Sequence, residues 1–320
     1  MKRPVTELLY AIFLGAVIPA IFFKIAQQKL LPQQQTECPV SLETETHADA
    51  THDIPILLAD GTVQMMDIDT YITAVVLAEM PADFEMEALK AQAVVARTYA
   101  LKRVSTGNKH SQGAVCTDSS CCQAFCDNAE LSQSSAVIEK IRDAVSQTSD
   151  QVLTYGGVLI EATYFSCSGG RTEDAIAVWG EEIPYLRSVE SPGEEKAAHY
   201  VDTVSFTAES FCEKIGRVPT GEPDEWIGEI TYTTGGGVNT IFIGGEQYSG
   251  VQLRSLLGLR STAFVLTAVG DTITVTTKGY GHRVGMSQYG ADAMAIKGCT
   301  YKEILAHYYP DTLLQTWSYN

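Results

Sequence analysis

The spacing of hydrophobic positions divides the chain into three stretches. Residues 8–23 form an apolar run, preceded by Lys2 and Arg3 and closed by Lys24. A membrane-spanning helix needs roughly 17–25 such residues, and a flanking lysine extends its reach by snorkelling. The cationic flank orients the N-terminus to the cytoplasm and residues 25–320 outside it. No small-x-small cleavage pattern follows Phe23, so residues 1–26 read as an uncleaved anchor rather than a signal peptide. Residues 27–53, with Gln33, Gln34 and Gln35 in a row and Glu37, Glu43, Glu45, Asp49 and Asp53, read as a solvated linker. Residues 54–320 carry the periodic patterns of a folded domain.

Within that domain, apolar residues 54–58 and 62–66 flank Asp60-Gly61, a hairpin signal. Asp69 or Thr70 is placed to cap a helix with Tyr71, Ile72, Val75 and Val76 at its apolar positions, and Pro81 ends it. A second helix is expected over 85–103, with Leu89, Ala93, Ala96 and Ala100 as a narrow face for close packing. Residues 106–130 are irregular and cysteine-rich. There follow a helix near 136–145, strands at 152–155 and 158–164 around Gly156-Gly157, loops over 166–193 and a short helix at 206–215. Strand signals dominate from 230 onward, at 230–233, 240–243, 263–268 and 272–277, and helices near 286–297 and 301–308 close the chain. Helices and strands are segregated rather than alternating, which predicts an α+β domain, and the orientation of the anchor places it outside the cytoplasm.

Charge narrows the partners. The formal net charge of -17 leaves no cationic footprint for a nucleic acid, which is excluded as a partner.

Candidate chemistry begins with residues 71–99, YITAVVLAEMPADFEMEALKAQAVVARTY. Glu79 ends an apolar helix directly before Met80-Pro81, a place suited to a general acid. The bland alternative is a solvent-facing glutamate at a helix end. Glu85 and Glu87 suit the first turn of the next helix. Lys90 and Arg97, seven apart on one face, are candidates for substrate contact or for pairing with those acids. In the later segment YFSCSGGRT, Ser166, Ser168 and Arg171 offer hydroxyls and a cation beside glycines that permit close backbone approach. In GYGHRVGMSQYG, His282, Ser287, Gln288 and Tyr289 cluster at a strand-to-helix join; Ser287 also reads as a helix-start residue, and His282 as a structural histidine.

The cysteines add a metal question. In HSQGAVCTDSSCCQAFC, His110, Cys116, Cys121 and Cys122 supply four ligands for a structural zinc ion, with Cys126 as the alternative to either of the last two. Four protein ligands leave no open position for catalysis. Disulfides are the competing reading in an oxidising exterior. Cys167, Cys212 and Cys299 read as buried thiols, and Cys38 as incidental.

The run AEMPADFEMEALKAQAVVARTYA, the segment YFSCSGGRTEDAIAVW followed by PYLRSVESP, and GYGHRVGMSQYG followed by ILAHYYPDT resemble the stage II sporulation protein D family, related to the amidase-enhancer proteins of cell-wall metabolism. Arg283 stands where many relatives have glycine. The resemblance implies a lytic transglycosylase that cuts MurNAc–GlcNAc bonds of stem-peptide-free peptidoglycan glycan strands during forespore engulfment. It leaves 1,6-anhydroMurNAc ends, uses Glu79 as its single catalytic carboxyl group and needs no cofactor for catalysis. It implies a zinc site in the cysteine-rich loop of some members. It also implies as partners a membrane-bound cell-wall amidase and a multi-pass membrane protein at the septum between mother cell and forespore. A glycan-binding module that enhances a partner amidase without cleaving, and a zinc-dependent wall hydrolase, are the competing readings.

Overall fold

A computed structural model describes residues 52–107, 109–126 and 135–319. The anchor at 1–26 and nearly all of the 27–53 linker lie outside the described residues. Among the described residues no helix is long and apolar enough to cross a membrane.

The first layer grows from the expected hairpin. Strands β1 (Asp53–Leu57) and β2 (Val63–Asp67) pair antiparallel. Helix α1 (Ile68–Glu79) starts one residue later, capped by Asp67 rather than Asp69 or Thr70: the Asp67 Oδ1 accepts from Thr70 N–H at 2.9 Å. Tyr71, Ile72, Val75 and Val76 are fully buried on its inner face. Each such side chain contributes about 1.5–3 kcal/mol by leaving water. Met80 turns to extended geometry before Pro81 and stops the helix, which leaves Glu79 as its last residue.

Helix α2 (Met86–Thr106) is the centre of this region and stops at Gly107, whose φ of 61° provides the left-handed cap. Every residue from 91 to 100 is buried. Such a helix must be enclosed on all sides. Its neighbours include α1, α3 (Ser135–Ser146) and the strand β4 (Gln151–Tyr155), with β3 (Val115–Cys116) adding to the β1 edge in parallel. The chain then forms β5 (Val158–Leu159), the two-residue β6 (Tyr164–Phe165) and the short helix α4 (Ala175–Trp179). The stretch read as one strand over 158–164 is thus two separate strands with different partners.

Residues 201–278 form a unit with its own hydrophobic core. It contains β7 (Val201–Thr207), α5 (Ala208–Ile215), β8 (Ile227–Tyr232), β9 (Val238–Ile243), β10 (Glu246–Ser249), α6 (Gly250–Leu257), β11 (Phe264–Val269) and β12 (Thr272–Lys278). Two three-stranded sheets, ordered β11-β12-β7 and β10-β9-β8, enclose Phe211, Trp226, Ile241, Leu253, Phe264 and Val275. The unit is entered and left side by side, because Val201 pairs with Lys278 at the end of the β7–β12 ladder.

After this excursion the chain returns to the first region. Strand β13 (Met286–Ser287) pairs parallel with β6, helices α7 (Gln288–Ile296) and α8 (Tyr301–Tyr308) pack on α2, and β14 (Leu313–Thr316) pairs with β4. The α+β class is as expected. Strand β7 and helix α6 escaped the pattern reading. The first alternates but is half polar, and the second is a short helix set by its Ser249–Gln252 capping box amid strand signals.

Candidate functional site

Two loops cross where the motif segments meet. Gly169 and Gly279 have φ of 80° and 82°, and a Cβ on Gly279 would lie 2.7 Å from the Ser168 carbonyl. Only glycine permits that approach. The crossing brings segment 164–171 against segment 280–290. Together with the end of α1 and the cysteine-rich loop they line a cleft of about 730 Å³ that includes Glu79, Ser166, Trp179, Tyr280, His282 and Gln288.

Glu79 is half-buried at its edge and is surrounded by hydrogen-bond donors rather than apolar walls. Its Oε1 accepts from Ala124 N–H at 2.8 Å and from the Tyr164 hydroxyl at 3.2 Å. Its Oε2 receives a single long contact, from Gln288 Nε2 at 3.5 Å. Behind Tyr164 stands Gln123, whose Nε2 donates to the Tyr164 hydroxyl at 3.1 Å and whose Oε1 accepts from Tyr71 at 3.3 Å. Burial, followed by the Glu79 charge, pushes the Tyr164 phenol well above its usual range. Both phenols are therefore neutral donors in this chain of hydrogen bonds.

His282 lies against Phe165 and Trp179, each 5.6 Å away between ring centres. Desolvation, with the Arg254 charge second, pushes its imidazole down to about 4. Its Nδ1 accepts from Val284 N–H at 3.1 Å, which makes it a structurally bonded ring that also forms part of the cleft wall.

The other candidates divide sharply. Ser166, His282 and Gln288 line the cleft with Glu79. Ser168 and Ser287 do not; their hydroxyls donate to Glu194, a fully buried carboxylate that also accepts from Ser191 and from the backbone N–H groups of Ser168 and Gly169. Ser287 additionally caps α7. Arg171 bonds Ser188 at 3.0 Å and lies 3.6 Å from Glu190, outside the cleft lining. Tyr289 packs edge-on against Phe84 at 4.9 Å.

Arg97, a candidate for substrate contact or for pairing with Glu85 or Glu87, has no exposed surface. It pairs with Asp69 at 2.8 Å and donates to the Thr148 carbonyl at 2.7 Å. Lys90 pairs with Glu87 at 2.7 Å. Arg97 is held inward because α2 is enclosed along 91–100, whereas Lys90 bonds the acid of the first turn and Arg103, near the helix end, lines the cleft. Arg283, the departure from glycine, keeps a left-handed φ of 66° and is buried, bonded to Glu173 at 3.1 Å and to three carbonyls. Tyr164, Gln123, Trp179 and Tyr280 were not singled out by sequence. An aromatic beside the serine-glycine run was a usable signal for Tyr164, whereas nothing in its spacing marks Gln123.

The cysteine-rich loop gathers the four expected ligands. The donor atoms of His110, Cys116, Cys121 and Cys122 all lie within 4.8 Å of one another. His110 Nε2 is 3.4 Å from the Cys121 Sγ and 3.5 Å from that of Cys122. A sulfur at about 2.3 Å and a nitrogen at about 2.0–2.1 Å from one tetrahedral ion sit about 3.5 Å apart, so the set fits a metal ion. Burial raises the Cys116 thiol to about 12, and a bound ion would reverse this, because thiolate ligands bind deprotonated. Cys121 and Cys122 also line the cleft. Cys299, read as a thiol, is disulfide-bonded.

Comparison with known proteins gives the family. The family profile described as stage II sporulation protein matches residues 60–155, the span that carries Glu79 and the cysteine-rich loop. Stage II sporulation protein D of Bacillus subtilis (strain 168) is 40% identical over 86% of this chain and 82% of its own length. The protein of the same name from Bacillus amyloliquefaciens is 40% identical over 78% of this chain and 75% of its own. An amidase enhancer of B. subtilis is 27% identical over 77% of this chain and 40% of its own length. The chain belongs to the stage II sporulation protein D family.

Proposed function

We infer that the protein is a lytic transglycosylase acting on peptidoglycan glycan strands, with Glu79 as its acid and base. The observation that carries this reading is that Glu79 is the sole carboxylate among the described residues lining the cleft, with one oxygen saturated and the other nearly free. Hydrolytic glycosidases use two carboxyl groups, one to activate water or act as nucleophile. A single carboxyl group suffices when the nucleophile is the sugar's own C6 hydroxyl. Glu79 Oε2 donates its proton to the glycosidic oxygen as the C1–O bond breaks. The C6 oxygen then bonds to C1, and its proton passes back to Glu79. The products are a free GlcNAc hydroxyl and a 1,6-anhydroMurNAc end, and the enzyme is returned to its starting state. Trp179 and Tyr280, partly exposed along the cleft, suit the apolar faces of sugar rings.

His110, Cys116, Cys121 and Cys122 would hold a zinc ion, as the soft thiolate-rich donor set favours. Its part is to close the loop, since four protein ligands fill a tetrahedral shell. The apolar run at 8–23 supports a single-pass anchor with the N-terminus in the cytoplasm and the domain outside, at the septum between mother cell and forespore. A wall amidase that strips stem peptides, and a multi-pass membrane protein, are the expected partners. The likeness to an amidase enhancer supports a second reading, a non-cleaving glycan binder that stimulates such an amidase.

Digestion of stem-peptide-free glycan strands by the purified protein and by Glu79→Gln, with mass analysis of products, separates these. Wild type yields 1,6-anhydro ends and the variant none, because glutamine keeps the shape but transfers no proton. General acid–base catalysis is worth about 10²–10⁴-fold. Equal cleavage by the variant would remove Glu79 from the chemistry, and glycan binding without cleavage by either would favour the enhancer.

A further inference from the structure

Glu79 has two oxygens, and only one can pass a proton to a glycan in the cleft. Oε1 already holds two donors, Ala124 N–H and the Tyr164 hydroxyl. The direction of that hydroxyl is set from within the core, since Tyr71 is fully buried and Gln123 retains only 1% exposure. A phenol has one hydrogen. Tyr71 gives its hydrogen to Gln123 Oε1, so the other end of the amide, Nε2, faces Tyr164 and donates to it. With that lone pair engaged, the Tyr164 hydrogen turns to Glu79. A reversed amide would take the Tyr164 hydrogen for itself and leave two acceptors, the phenol oxygen and the carboxylate, facing each other at 3.2 Å.

We propose that Tyr164 is a positioning residue that keeps the exchangeable proton of Glu79 on Oε2, with Gln123 and Tyr71 fixing the direction of its hydroxyl. Both lone pairs of Oε1 are taken, by Ala124 and Tyr164, so the proton resides on the oxygen turned toward the cleft. Gln123 and Ala124 directly follow Cys121 and Cys122 in the chain. The loop that gathers the cysteines therefore also carries both contacts that orient Glu79, one direct and one through Tyr164. The inference rests on the reading of Glu79 as the acid and base.

The test is a graded series in the purified full-length protein: Tyr164→Phe, Gln123→Met and Tyr71→Phe. Hydrogen bonds to an ionised group predict a fall in kcat of about 10- to 100-fold for Tyr164→Phe. The fall is smaller for Gln123→Met and least for Tyr71→Phe, with KM unchanged throughout. A readout independent of turnover is the 13Cδ resonance of Glu79 in 13C-glutamate-labelled protein, assigned by its loss in Glu79→Gln. It shifts in Tyr164→Phe and by less in Gln123→Met. An unshifted resonance in both variants overturns the proposal, as does a loss of activity carried by KM alone. Should Tyr164→Phe not fold, Gln123→Met decides by the same two readouts. If wild type cleaves no glycan, the transglycosylase reading fails, while the resonance still decides whether Tyr164 orients the carboxyl group.

Discussion

Two carboxylates, Glu79 and Glu194, are fed by the same two motif segments and end in opposite conditions. From the first segment, Tyr164 reaches Glu79, while Ser168 and Gly169 reach Glu194. From the second, Ser287 donates to Glu194 and its neighbour Gln288 to Glu79. Glu194 has no exposure and accepts five hydrogen bonds shared over both oxygens, so it can neither meet a substrate nor release its partners cheaply. Glu79 accepts two firm bonds on one oxygen and turns the other to a cleft. Burial and partner count, more than the number of polar neighbours in sequence, separate a carboxylate that locks a fold from one that can do chemistry.

The largest expected effects test that division directly. Glu194→Ala strands two backbone N–H groups and three hydroxyls in a buried site. It should cost about 4 kcal/mol of stability, read as a lowered denaturant midpoint. Glu79→Gln should leave the midpoint within about 1 kcal/mol while abolishing cleavage, because its surroundings are half open. A Glu79→Gln protein as unstable as Glu194→Ala would erase the distinction.

The same comparison explains what could be read from the chain. The apolar face of α1 and the Met80-Pro81 stop are local, so the position of Glu79 at a helix end was legible. The four metal-ligand candidates were legible because spacing within one loop brings them together. The fates of Ser287 and Gln288 were not, since adjacent residues at a strand-to-helix join point to opposite sides, and which side holds Glu194 depends on a loop ninety-odd positions earlier. Arg97 was misread for a similar reason. Its helix face is solvated or buried according to how many neighbours surround α2, and Asp69 and Thr148 come from α1 and from the turn after α3. Pattern reading registers periodicity, and a helix enclosed on every side has little of it.

Between these extremes lies the cysteine-rich loop, which touches the cleft and gathers four residues that could hold a metal ion. One zinc ion per chain is expected by elemental analysis. Cys122→Ser should lose it, whereas Cys126→Ser should retain it, because Cys126 lies outside the four-ligand cluster. Chelation should lower stability by roughly 2–3 kcal/mol, less than zinc contributes to a zinc-finger peptide, since the four ligands lie in one loop while α1 and α2 bury apolar residues of their own. Binding should weaken as pH falls, because ligand thiolates compete with protons. A stoichiometry of one in Cys122→Ser and zero in Cys126→Ser would reassign the fourth ligand.

The smallest effect concerns His282, which belongs to the cleft wall and yet is bonded like a core residue. Its folded pKa of about 4 lies below the ordinary 6.5. The unfolded chain therefore takes up a proton at this ring before the folded protein does. Between those two values the unfolded state binds more protons, so stability rises with pH and is lost as pH falls from 6.5 toward 4. The ring is partly exposed to the cleft, and solvent screening reduces the loss to about 1–2 kcal/mol across that window. Equilibrium unfolding at a series of pH values should show this slope in wild type and a flatter one in His282→Gln. An equal slope in both would mean that the ring is solvated enough to titrate in the folded protein, and that this wall of the cleft is more open than its contacts with Phe165 and Trp179 indicate.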